Sequence, residues 1–151
     1  MTSATIYKIK PNKYLVHGNS KTKSGLTIAS RPFFKISETE LNIDNLANSI
    51  KAALMNNGEK VVEDPKNWNE FKRKYLENIG LKSSKELNAP STKCVAIGLE
   101  NEEIVFTPTR HADRPEEGFL HKSKNDEISV VRAASNEEIT RALDLAFSNC
   151  E

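Results

Sequence analysis

The sequence predicts an α+β fold in which a largely antiparallel β-sheet packs against about three α-helices. Two observations support this fold class. Segments rich in β-forming residues lie at the start and in the later middle of the chain, and amphipathic helical patterns separate and follow them. The strand-like segments are joined by short turns, which favour antiparallel pairing. A chain of 151 residues can bury a core of its own, so we expect one domain over residues 1–151.

The N-terminal part of the chain predicts three or four short antiparallel strands. The turn pair Pro11-Asn12 separates the first two, and a loose basic turn begins at Gly18. Pro32 places the last of them at a sheet edge or a bend, because proline cannot donate a hydrogen bond to a neighbouring strand. The predicted strand segments are residues 4–8, 13–17, 25–30 and 31–36.

Three helices follow from apolar spacing and capping residues. A helix over 42–57 has its start capped by Asn42 or Asp44 and its end at Gly58. In the last helix, Ser135 and Glu138 form a capping box, and the apolar stripe runs on to Phe147. A helix from 68 to 79 ends at Gly80, and we expect its stripe to face the core. That stripe consists of Trp68, Phe71, Tyr75 and Ile79.

Shorter elements complete the prediction. A brief strand is expected at 60–62, a helical turn at 83–87 and a further strand at 127–132. Two apolar strands, 93–99 and 103–108, are joined by the turn 100–102. They are followed by a polar segment, residues 109–118, and by a return into Phe119, Leu120 and His121.

The polar segment carries most of the reactive side chains of the chain. Its alternating cations and carboxylates offer partners for bidentate and charge-assisted hydrogen bonds. Pro108 and Pro115 stiffen its two ends, which lowers the entropy lost on docking. We therefore interpret it as a mixed-charge docking loop, with an ordinary polar loop as the alternative.

Charge is unevenly distributed although the net charge is only +1. Residues 1–37 hold seven Lys or Arg and no carboxylate, whereas residues 94–151 hold six basic and twelve acidic residues. Such polarity is typical of an electrostatic partner surface, or of two halves that attract each other. The basic end lacks the clustered arginines and interleaved aromatics of a nucleic-acid platform.

Several classes of protein are disfavoured. No apolar run approaches the ~20 residues of a membrane helix, and the N-terminus lacks a signal-peptide pattern, so we expect a cytoplasmic protein with no membrane association. Cys94 and Cys150 follow no metal spacing, and we expect two reduced thiols, one of them buried. Phosphate-binding and dinucleotide fingerprints are missing, and we expect no cofactor and no small-molecule substrate.

Two chemical alternatives use the histidines. His111, Asp113 and His121 are plausible metal ligands, but no ligand spacing supports them, so no metal is expected. His111 and His121, flanked by Arg110 and Lys122, could instead cleave a phosphodiester as an acid–base pair. Nearby carboxylates would repel the phosphate, and we expect no enzymatic activity and no catalytic residues. The remaining alternative is a small adaptor or nucleic-acid-binding domain that uses the basic N-terminal third.

Short segments across most of the chain resemble one protein family. They are Lys13-Tyr14-Leu15-Val16, Gly25-Leu26-Thr27-Ile28, Arg31-Pro32-Phe33-Phe34, Phe106-Thr107-Pro108 and the closing run from Ala142 to Cys150. In this order the chain is similar to the bacterial contact-dependent growth inhibition (CDI) immunity proteins.

The resemblance implies a small, non-catalytic cytoplasmic protein. It would bind the C-terminal domain of one cognate CDI toxin, often a nuclease, as a heterodimer and block its active site, without contacting nucleic acid directly. Many immunity proteins for nucleases are strongly acidic, whereas this chain is acidic only in its last third. We therefore expect the toxin contacts there, at Glu102, Glu103, Arg110, His111, Asp113, Arg114, Glu116 and Glu117.

Overall fold

A computed structural model describes residues 2–9, 13–56, 61–113 and 115–151 of the chain. These residues form three α-helices and an eight-stranded sheet that is antiparallel apart from one two-residue strand, which confirms the predicted α+β class. The strands are β1 Thr2–Ile9, β2 Lys13–Thr22, β3 Thr27–Ile36, β4 Val61–Val62, β5 Lys93–Glu100, β6 Glu103–His111, β7 Phe119–His121 and β8 Ile128–Val131. The helices are α1 Ile43–Asn56, α2 Trp68–Ile79 and α3 Asn136–Ser148.

The sheet places the N-terminal strand in its interior, beside a strand from the later middle of the chain. The strand order is β3-β2-β1-β5-β6-β7, so β1 lies between β2 and β5 and pairs with both of them. The short β4 runs parallel to the end of β2, at Lys21 and Thr22. The first part of β6 pairs with β8, over Glu103–Phe106, and its last part pairs with β7, over Thr109–His111.

The two faces of the sheet are covered unequally. Helix α1 packs on β1, β2 and β3, and α3 packs on β5, β6 and β8, which together enclose the larger core. Because strand side chains alternate between faces, β1 directs Ile6 into this core and Ile9 to the opposite face. There α2, which lies against β3, covers a smaller core around Leu15 and Ile79. We call this second side the α2 face.

The helix caps follow the sequence prediction. The Asn42 side chain accepts a hydrogen bond from the backbone N–H of Asn45 at 2.7 Å, and the Ser135 hydroxyl accepts one from Glu138 at 3.2 Å. Gly80 ends α2 with φ of 75°, a left-handed conformation that glycine adopts without strain. The predicted Pro11-Asn12 turn and the predicted stop at Gly58 lie outside the described residues.

Two local predictions are wrong. A turn was predicted at Gly18, but β2 continues to Thr22 through a bulge between His17 and Gly18, and the Asn19 side chain donates to the Thr5 hydroxyl of β1 at 3.0 Å. The segments 25–30 and 31–36 are one edge strand rather than two strands. The segment 83–87 forms hydrogen-bonded turns, among them the predicted helical turn, which the Asn88 N–H closes by donating to the Ser84 oxygen at 3.0 Å.

The cysteine prediction is correct in part. Both thiols are free, as expected, but both are buried, whereas one was predicted to be. The Cys150 thiol donates to the backbone oxygen of Cys94 at 3.3 Å. Burial raises the pKa of both thiols, so neither is prone to ionise.

Two leucines on α3 test the assignment of the larger core. Leu143 is fully buried, whereas Leu145 is 53% exposed. We expect Leu143→Ala to lower the free energy of unfolding by about 2–5 kcal/mol, because it removes buried methyl groups and leaves a cavity. Leu145→Ala should change it by less than about 0.5 kcal/mol. Urea unfolding of both variants measures this, and equal losses would contradict the packing of α3 described here.

Candidate functional site

The predicted docking loop sits at the end of a longer strand than the sequence indicated. β6 extends to His111, so Arg110 and His111 belong to the strand and the connecting loop covers only residues 112–118. The backbone N–H of Ala112 donates to the Gly118 oxygen at 2.9 Å, which closes the loop onto β7. We call residues 109–122 the charged hairpin.

His111 anchors the charged hairpin to the body of the protein. Its Nε2–H donates to the backbone oxygen of Thr92 at 2.8 Å, since a carbonyl oxygen can only accept. The imidazole ring also lies 4.6 Å from the ring of Phe119, measured between centroids. One nitrogen of His111 and one side of its ring are therefore used within the protein.

The end of the chain holds the hairpin from the other edge of β6. The Glu151 N–H donates to the Thr109 oxygen and its own oxygen accepts from the His111 N–H, both at 3.1 Å. The Lys122 ammonium donates to the backbone oxygen of Asn149 at 2.8 Å and pairs with the Glu151 carboxylate at 3.2 Å. A cation at this position also compensates the negative end of the α3 dipole.

The carboxylates of the hairpin differ in how they are held. Asp113 lies 3.6 Å from the Arg110 guanidinium, and Glu117 accepts a hydrogen bond from the Asn88 amide at 3.2 Å. Glu116 is exposed and makes no ion pair with any residue that the structure describes. All three are exposed, and the two glutamates border a hollow of about 960 Å³ between the loop and residues 85–90.

The predicted contact residues do not form one cluster. Glu102 and Glu103 lie at the opposite end of β6, in and beside the turn from β5, and Glu102 pairs with Arg132 at 3.4 Å. His111 lies eight positions after Glu103 along the extended strand, which corresponds to ~26 Å. A single active-site cleft cannot enclose both groups, although a wider interface could. Arg114, also predicted, lies outside the described residues.

A second surface was missed from the sequence. On the α2 face, a half-open groove of about 1020 Å³ runs between α2 and the sheet. One wall consists of Trp68, Phe71 and Tyr75, and Lys21 and His121 also line the groove. The predicted core-facing stripe of α2 is therefore only partly correct. Ile79 is buried and Tyr75 half-buried, but Trp68 is 48% exposed.

His17 lines this groove and joins β2 to α2. Its Nδ1–H donates to the Gly18 oxygen at 2.8 Å, and its Nε2 accepts from the Tyr75 hydroxyl at 3.3 Å. Burial lowers the pKa of His17 from 6.5 to about 4, so the neutral ring with these two bonds is the form present near pH 7. Burial also raises the pKa of Tyr75 to about 12.

The structure places the two candidate acid–base histidines in different surroundings. His111 borders the hollow beside the charged hairpin, whereas His121 is exposed and lines the groove. Within the described ranges, no group of three or more His, Cys, Asp or Glu side chains could hold a metal ion. In the same residues, no helix is long and apolar enough to cross a membrane.

Solved structures share this fold over nearly the whole chain. A protein of unknown function from Neisseria meningitidis has a TM-score of 0.73 and 19% identity, over 99% of this chain and 95% of that one. A toxin and immunity complex, CdiA-CT/CdiI from Yersinia pseudotuberculosis, contains a chain with a TM-score of 0.70 and 19% identity. That match covers 99% of this chain and 97% of the other.

The sequence itself identifies the family. The model of the family CdiI, described as CDI immunity protein, matches residues 33–150. This protein therefore belongs to the CDI immunity protein family, as the resemblance indicated. No curated protein matches the chain significantly.

The buried His17 predicts a specific dependence of stability on pH. Its pKa is about 4 when folded and near 6.5 when unfolded, so only the unfolded state takes up the proton between these values. The free energy of unfolding should therefore fall by about 3 kcal/mol as the pH drops from 6.5 to 4. His17→Gln removes this contribution, because glutamine does not titrate while its amide oxygen can still accept from Tyr75.

Urea unfolding of the wild type and of His17→Gln across this pH range measures the difference. Plotted against pH, the free energies of unfolding of the two proteins should have slopes that differ by the equivalent of about one bound proton. His121→Gln, a substitution of an exposed histidine, is the control. Its free energy of unfolding should depend on pH as that of the wild type does. Parallel curves for wild type and His17→Gln would contradict the burial of a neutral imidazole.

Proposed function

We propose that this protein acts in the cytoplasm by binding the C-terminal domain of one cognate CDI toxin and neutralising it, without chemistry of its own. The observation that carries the proposal is the family match over residues 33–150. The similar fold in the Yersinia pseudotuberculosis toxin and immunity complex supports it. The toxin domain is proposed to be a nuclease, whose active site the immunity protein covers.

The charged hairpin is the proposed contact for the toxin's active site. Its loop is exposed, whereas its base is held by the His111–Thr92 bond and by the Glu151 backbone bonds to β6. A loop anchored in this way loses little conformational entropy on docking. Of the residues predicted to make contact, Asp113, Glu116 and Glu117 extend from this base, and His111 has a positioning role.

Electrostatics gives these carboxylates a role against a nuclease. A cleft that binds phosphates is positively charged, and carboxylates placed in it would compete with RNA or DNA. Opposite charge also increases the rate of association, and this gain falls as salt screens it. Rapid capture suits an inhibitor of an enzyme that damages many substrate molecules. Glu102 and Glu103 would then lie at the rim of the interface or outside it.

Binding to the toxin domain encoded directly upstream tests the proposed function. We expect a stable one-to-one complex by co-purification, and we expect the purified protein to stop nucleic-acid cleavage by that domain. Failure to bind would overturn the immunity pairing. Binding without loss of cleavage would overturn active-site blocking alone, and a toxin with a different activity would overturn only the nuclease assignment.

Charge reversal at the two ends of β6 tests the docking surface. We expect Glu116→Lys combined with Glu117→Lys to weaken toxin binding by roughly 10–100-fold, mainly through slower association at low salt. The matched control, Glu102→Lys with Glu103→Lys, changes the net charge equally and should weaken binding by less than about threefold. Surface plasmon resonance at two salt concentrations measures toxin binding by both double variants. If the control pair weakened binding more, the interface would lie at the β5–β6 turn instead.

A further inference from the structure

The groove on the α2 face contains groups that the proposed function does not use. Its aromatic wall reaches the surface of the protein, since Trp68 is 48% exposed at the start of α2 and Phe71 is half-buried. The Trp68 and Phe71 rings lie edge-to-face with centroids 5.7 Å apart. No hydrogen bond joins the Trp68 indole to another residue in the described part of the chain. This wall is therefore available to a flat ring.

The wall is held rigidly against the sheet. Tyr75 donates to His17 at 3.3 Å, and the two rings lie edge-to-face at 5.5 Å. One turn further along the helix, Ile79 is buried in the smaller core. The aromatic side chains are thus presented by a helix whose C-terminal half is fixed, which suits a preformed site.

The groove is also polarised in charge. Among its lining residues are Lys21 and two histidines but no Asp or Glu. Lys21 is exposed and makes no ion pair with any residue of the described ranges, and β-sheet pairing sets it between Thr27 of β3 and Val61 of β4. His17 is neutral near pH 7, and Lys21 supplies a positive charge at the groove.

The floor of the groove offers few unsatisfied polar groups. The Asn19 amide donates to the Thr5 hydroxyl at 3.0 Å and to that of Ser3 at 3.4 Å. These groups bond one another across β1 and β2, so they present a flat, internally satisfied surface. Such a floor suits the face of a ring better than the backbone of an extended peptide, which requires free donors and acceptors.

From these observations we propose that the groove binds a nucleotide, with the base stacked on the Trp68–Phe71 wall and the phosphate near Lys21. Aromatic side chains bind every base through its face, and a single lysine provides a point charge for a phosphate. The ligand is either a free nucleotide or one nucleotide of a single-stranded RNA. The site differs from the proposed toxin contact, because its lining includes His121 of the charged hairpin but none of the hairpin's carboxylates.

The single tryptophan of the chain makes the test direct. In ¹H–¹⁵N spectra of the 151-residue chain, the one indole N–H signal reports the groove. We expect adenosine 5′-monophosphate to shift it saturably below about 10 mM. Lys21→Gln should weaken this binding by at least about threefold, but it should leave the weaker binding of adenosine unchanged. Arg141→Gln, at an exposed position of α3 on the other side of the sheet, is the matched control for loss of one charge.

Each outcome supports or overturns the proposal. Tighter binding of an eight-nucleotide oligoadenylate than of the mononucleotide would identify single-stranded RNA as the source of the ligand, and equal or weaker binding would identify the free nucleotide. An indole signal that does not respond to either probe would overturn the site. The site would also be overturned if Lys21→Gln weakened the binding of adenosine and of its monophosphate equally. A signal that moves only with the toxin domain would instead identify the groove as a protein interface.

Discussion

The pairing of β1 with β5 is the constraint on which the rest of the structure depends. It aligns Thr2–Lys8 with Lys93–Leu99 and joins strands that are far apart in the sequence. The β1–β2–β3 unit and the β5–β6–β7 unit become one sheet only through this contact. Because β1 is an interior strand, its alternating side chains contribute to a core on each face.

The helices cover the two faces of this sheet unequally. The parts that they leave uncovered are available for binding. Helices α1 and α3 cover one face, and their buried stripes provide about half of the buried residues in the larger core. On the other face, α2 and residues 81–87 cover only the end of the sheet near Ile9 and Leu15. The remaining part of that face is the groove, and the charged hairpin extends at the end of β6.

The sequence was sufficient for elements whose signals are local. Helix caps at Asn42 and Ser135 and the stop at Gly80 were correct, because each depends on one side chain or one backbone conformation. The continuation of β2 past Gly18 was not predictable in the same way. The Asn19 side chain there is satisfied by Thr5, a partner that only the pairing of β1 with β2 provides.

The candidate surfaces were predictable to a smaller extent for the same reason. The polar segment after β6 was recognised, but the anchoring of His111 requires Thr92, which lies in a different part of the chain. An aromatic stripe on a helix usually indicates a core-facing side. Here α2 extends beyond the core that it covers, so Trp68 faces a groove instead. Helical periodicity alone cannot show where the opposing surface ends.

Hydrogen exchange of the protein, alone and in complex with its toxin domain, tests the central claim most directly. That claim is that the charged hairpin at the end of β6, and not the layer formed by α1 and α3, provides the toxin contact. The account predicts slower exchange in residues 112–118 on binding, with the outer surfaces of α1 and α3 unchanged. Slower exchange confined to α1 and α3, with residues 112–118 unaffected, would contradict it.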